Sequence, residues 1–118
     1  MVHVPVEIQY QRISNNWSRY YNRLRQFHTR RHLSLQDLLN LHEKQKGLCA
    51  LSHQPMTCLL QRGYITDTNA SIDRINHGQG YSLDNIRLVC SIVNKMRWTL
   101  NDKELVVWCQ RIIDASKT

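Results

Sequence analysis

Residues 71–97 read SIDRINHGQGYSLDNIRLVCSIVNKMR, and this stretch decides the fold. Ser71–Ile75 has the composition of a short strand, and Asp73 lies near its end. Asn76–Asn85, with Gly78 and Gly80, reads as the connecting loop. Ile86–Val89 reads as the returning strand. A helix then runs from about Cys90 to Arg97 and carries Asn94 one turn in. A carboxylate and an amide oxygen are hard donors suited to Mg²⁺. If the hairpin packs on the helix, Asp73 and Asn94 meet there, with Lys95 and Arg97 beside the same point. A single hard cation held in that way polarises a phosphodiester and stabilises its leaving oxygen.

Helices flank this stretch on both sides. Asn15 or Asn16 can cap a helix running to about Arg31, on which Trp17, Tyr20, Tyr21, Leu24 and Phe27 form an apolar stripe. Ser34 with Asp37 resembles a capping box and opens a second helix, Leu35–Lys46, which Gly47 stops. Asn101 and Glu104 make a similar pair for a last helix, Asp102–Ala115, with Leu105, Val106, Trp108, Cys109, Ile112 and Ile113 apolar. Val2, Val4, Val6 and Ile8 alternate as a strand would, and Leu59–Ile65 is a further strand candidate. The expected class is α+β: a hairpin–helix core flanked by N- and C-terminal helices.

The 118 residues fit one domain. It divides into a basic helical extension (1–33), the core (34–97) and a C-terminal helix (98–118). No apolar run approaches a membrane span, and Met1–Tyr10 carries neither an apolar signal nor a basic leader. Four unevenly spaced cysteines argue against a disulfide scaffold, and a reducing, cytoplasmic setting is expected. The formal net charge is +7, and the excess is uneven: residues 1–46 hold eight basic against three acidic groups, residues 47–118 eight against six. A basic face is the footprint of a phosphate-backbone binder, and equally that of a solvated helix face. Arg19, Arg23, Arg25, Arg30 and Arg31 are the candidates on the N-terminal side, with Lys95 and Arg97 on the core.

The 71–97 stretch resembles the HNH endonuclease (His-Me finger, ββα-metal) family, particularly its small phage-type members. The shared features are an Asp at the strand end, a Gly-Tyr loop, an Asn before the second strand, and a helix carrying Asn and then a basic residue. Gly47–Met56 resembles the family's segment before the hairpin, so the likeness covers about Leu35–Arg97. It implies a DNA endonuclease using Mg²⁺ or another divalent cation. Asp73 and Asn94 would be its metal ligands, and Asn85 the brace of the loop. The duplex backbone would be held without base reading, and a homodimer would suit the need for two cuts. A phage origin would place the protein in the host cytoplasm.

Two positions depart from the family pattern. Arg74 stands where the general-base His usually does, and arginine stays protonated. His77 is the substitute base, or else an exposed loop histidine. The second departure concerns a structural zinc that many relatives hold with two Cys-x-x-Cys pairs. Here Cys49 and Cys90 match only the leading cysteines, with Ser52 and Val93 in the second places. Cys49, His53, Cys58 and Cys90 form an irregular candidate Cys₃His set; otherwise Cys49 and Cys90 pack as small apolar groups. His42 reads as packing, and His28 and His32 lie in a basic run that can approach phosphate. Trp98 and Trp108 read as core rather than as contacts with bases, and Cys109 reads as core. Three functions remain open: a metal-dependent nuclease, the same fold without activity binding nucleic acid or a protein, and a small basic helical DNA-binding protein without metal.

Overall fold

The computed structural model describes residues 16–59 and 66–118. Its elements are α1 (helical over 16–24), α2 (Leu35–Lys44), β1 (Ala70–Arg74), β2 (Ile86–Cys90), α3 (Ser91–Arg97) and α4 (Asp102–Ser116). Short 3₁₀ turns occur at His28–Arg30 and Leu83–Asn85. The architecture is α+β. The proposed strands at Val2–Ile8 and Leu59–Ile65 fall wholly or largely outside the described residues. Among those described, no helix is long and apolar enough to cross a membrane.

The hairpin forms at nearly the expected limits. β1 pairs antiparallel with β2, and the register sets Asp73 opposite Arg87 and Ile72 opposite Leu88. The buried Asn85 braces the loop. Its Oδ1 accepts from the Asn76 amide at 2.9 Å, and its Nδ2 donates to the carbonyls of Asn76 and Gly80 at 3.0 and 2.8 Å. One short polar side chain thus satisfies three backbone groups of the turn.

Both capping boxes close as read, Ser34 with Asp37 and Asn101 with Glu104. α2 stops two residues before the expected Lys46. The left-handed backbone begins at Lys46 (φ 56°) and continues through Gly47 (φ 70°), where the Gly47 amide returns to the His42 carbonyl. α1 ends well short of Arg31: the Gln26 amide bonds back to Arg23, Phe27 turns extended, and the Arg25 side chain folds onto the Leu33 carbonyl. Phe27 leaves the apolar stripe as a result and is exposed.

The core gathers Trp17, Tyr21, Leu33, Leu38, Ile72 and Leu88. Burying one such side chain contributes about 1.5–3 kcal/mol. Trp17 stacks on Tyr21 with centroids 5.0 Å apart, and the Tyr21 hydroxyl bonds to His42 Nδ1 at 2.7 Å. Burial lowers the His42 pKa, in line with the packing role read from its place on α2. Gln45 clamps α2 to β2, giving its Nε2 to the Leu88 carbonyl and taking the Leu88 amide on Oε1.

The expected core at the C-terminal end is not formed. Trp98 is 76% exposed and Trp108 52%, and Cys109 is only half-buried. α3 ends by turning Arg97 inward, and the chain then reverses at Trp98 with φ 47°, which sends the indole outward. On α4 only Leu105 is buried. Periodicity located an apolar face but does not say whether anything covers it.

Candidate functional site

A cleft of about 420 Å³ opens where β1, its loop and α3 meet. Asp73, Arg74, His77, Asn94 and Lys95 all contribute to its wall, so the hairpin–helix arrangement brings the main sequence candidates together.

Asp73 forms the floor and is 2% exposed. Its Oδ2 accepts from Arg87 Nε at 2.9 Å, and its Oδ1 accepts from Arg97 NH1 at 2.7 Å. Arg87 also grips Asp102 through two bonds of 2.7 and 2.6 Å, and Arg97 Nε lies 3.2 Å from the same carboxylate. Two carboxylates and two guanidiniums therefore tie β1, β2, α3 and the start of α4 into one neutral cluster. The Arg87 bonds hold the Asp102 carboxyl below the usual carboxylate range and raise Arg87 in turn.

Arg97 corrects an expectation. The sequence makes it a candidate phosphate-binding cation, but it is 2% exposed and faces inward. Besides Asp73, it donates to the carbonyls of Arg74 and Ile75 at 2.7 and 2.5 Å. His77 Nε2 lies 3.1 Å from Arg97 NH1. A guanidinium only donates, and NH1 has two protons already directed to Asp73 and Arg74 at 2.7 Å, so the ring nitrogen is at most the acceptor of a shared, weaker contact. The nitrogen that would take a proton from water is thus turned toward Arg97.

Asn94 Nδ2 donates to Ser71 Oγ at 2.7 Å across the β1–α3 contact, which fixes the amide at the cleft wall. Lys95 is exposed beside it. Arg74 stacks 5.1 Å over the Tyr81 ring and reaches the Gln79 carbonyl at 3.4 Å.

The N-terminal cations divide into two groups. Arg30 lines the cleft, 5.0 Å over both Phe27 and Tyr81, and its Nε is buried without a hydrogen-bond partner. Arg19, Arg23 and Arg31 are exposed outside the cleft lining, and Arg25 is taken up by the Leu33 carbonyl and Asn22. His32 bonds to the Tyr81 carbonyl and His28 is exposed.

Of the four residues named for zinc, Cys49 and Cys90 come together, both buried. The Cys49 sulfur accepts the backbone amides of Cys90 at 3.3 Å and Ser52 at 3.5 Å. The proximity of the two thiols, with these amides, lowers the Cys49 pKa and raises that of Cys90. His53 is exposed at φ 58°, and burial pushes Cys58 up to about 12. Among the described residues, no three His, Cys, Asp or Glu side chains converge as a metal-holding group.

Sequence reasoning missed Arg87, Asp102, Tyr81 and Trp98 as parts of the site. Arg87 carried a usable signal, because the hairpin register places it directly across from Asp73. Asp102 carried none, since its approach depends on the turn between α3 and α4.

No family model matches the chain, and no solved structure matches it. It is 43% identical over 51 residues to a protein of Acanthamoeba polyphaga mimivirus described as "Uncharacterized protein R423". The match covers 43% of this chain and 10% of that protein.

Proposed function

We propose that the chain is an HNH-type endonuclease core that hydrolyses DNA phosphodiester bonds with a divalent cation such as Mg²⁺. The supporting observation is a cleft on an antiparallel hairpin and its following helix, walled by Asp73, Asn94, His77 and Lys95.

The donor set fits a hard cation. A carboxylate has about four lone-pair sites, of which Arg87 and Arg97 take two. Mg²⁺ needs only one or two protein oxygens, because it keeps waters and takes up phosphate. Asp73 and the Asn94 amide oxygen would hold it, and when bound it supplies charge for the attacked phosphodiester and its leaving oxygen.

The chain's own residues supply the rest. Lys95 and Arg74 neutralise the phosphate, and Arg30 extends that positive wall. Asn85 fixes the loop that carries His77. His77 takes the proton of the attacking water on Nε2 once its contact with Arg97 opens.

A second reading has its own observation. Both Asp73 oxygens are held by arginines, and Arg74 replaces the base. A module that has lost catalysis and binds nucleic acid or a protein partner has this character.

A plasmid-nicking assay with Mg²⁺, Mn²⁺ and EDTA in parallel separates the two, with Asp73→Ala beside the wild type. Metal-dependent nicking that EDTA abolishes supports the nuclease. No nicking with either metal, alongside salt-sensitive DNA retention, supports the binding module.

A further inference from the structure

The rim of the cleft carries a feature that phosphodiester hydrolysis does not require. Trp98 is 76% exposed, sits on the rim, and is held there at φ 47° and ψ −116°. That backbone region is sparsely populated for a bulky residue, and strained positions of this kind cluster at binding and catalytic sites. The strain is fixed from below: the Trp98 amide bonds to the Asn94 carbonyl at 3.1 Å, and the neighbouring Arg97 is pinned to Asp73.

The same cleft is lined by cations. Arg30 and Arg74 both lie over the Tyr81 ring, at 5.0 and 5.1 Å. Among the described residues neither guanidinium is in an ion pair, so both charges are available to an anion in the cleft that they line. Lys95 adds a third charge beside Trp98. A flat apolar ring next to a phosphate-attracting wall matches one ligand chemistry, a planar base joined to a phosphate.

We propose that Trp98 is a stacking platform for an unpaired nucleobase, so that the cleft prefers single-stranded or locally unpaired nucleic acid to a continuous duplex. Stacking needs a free π-face, which an intact duplex offers only at its ends. The inference rests on the nucleic-acid reading above and narrows its substrate class. It departs from an interface held by backbone contacts alone.

The test is fluorescence anisotropy in EDTA with three labelled probes: a short DNA single strand, its duplex, and the same strand made abasic. Wild type is expected to prefer the normal strand over the other two. Trp98→Ala should weaken single-strand binding about tenfold, the scale of one stacked base, and Trp98→Phe should restore most of it. Trp108→Ala, which removes an exposed indole on α4, should change nothing. Because the Trp98 side chain is exposed, its removal leaves the core intact, and thermal melts confirm this. Equal binding of normal and abasic strands, with no loss in Trp98→Ala, overturns the stacking proposal and leaves the nucleic-acid reading standing. No binding of any probe at low salt overturns both.

Discussion

The floor and the rim of the cleft treat charge in opposite ways. On the floor, Asp73, Asp102, Arg87 and Arg97 are paired into a neutral cluster, and Asp73 and Arg97 are each 2% exposed. On the rim, Arg30, Arg74 and Lys95 carry no carboxylate partner among the described residues, and Trp98 stands in solvent. Charges removed from water must be matched within the protein, whereas charges left in water stay available for a ligand. The same residue types, a few positions apart in sequence, are therefore paired within the fold in one place and left without a carboxylate in the other.

The largest effect is expected on the floor. Asp73→Ala removes the buried carboxylate that pairs Arg97, leaving it only the longer contact to the half-exposed Asp102, and should cost about 3–5 kcal/mol in denaturant unfolding. Near-neutral behaviour would mean that the floor is hydrated and the contrast with the rim is false. Next comes the brace between the two regions. Asn85→Ala strands three backbone groups and should cost about 1–3 kcal/mol, with faster amide exchange in residues 76–80.

Acid probes the floor at its most exposed member. Asp102 has its carboxyl lowered by Arg87, so its stabilisation is complete above the unfolded-state pKa, about 3.9, and disappears as pH falls through the lower folded value. Melting temperatures should drop below that pH, and drop less steeply in Asp102→Asn. The smallest effect on stability belongs to the rim. Lys95→Ala should shift unfolding by less than about 0.5 kcal/mol, yet reduce the salt dependence of DNA binding by about one phosphate contact.

What the sequence revealed follows the range of each interaction. The two capping boxes, the hairpin and the Asn85 turn depend on residues close in sequence, and all were legible. The inward turn of Arg97 and the outward turn of Trp98 were not. Arg97 is held inward by Asp73 and the Arg74 and Ile75 carbonyls, more than twenty residues away, and Trp98 turns outward where the chain reverses after α3. Local patterning gives the apolar and charged faces of α3 and α4 but not the angle between the helices. The cysteines divide in the same way. Cys49 and Cys90 meet because the chain before the hairpin lies on β2, where the Ala50 amide reaches the Leu88 carbonyl at 3.0 Å, whereas His53 sits exposed in its turn.

Asn94 offers the most direct test of the cleft as a nuclease site, because its amide lies at the wall and outside the ion-pair cluster. Plasmid cleavage by wild type and Asn94→Ala, compared in Mg²⁺ at equal melting temperature, should show a loss of more than about tenfold in the variant. Equal cleavage by the two would contradict the placement of the site, and no cleavage by the wild type in Mg²⁺ or Mn²⁺ would contradict the nuclease itself.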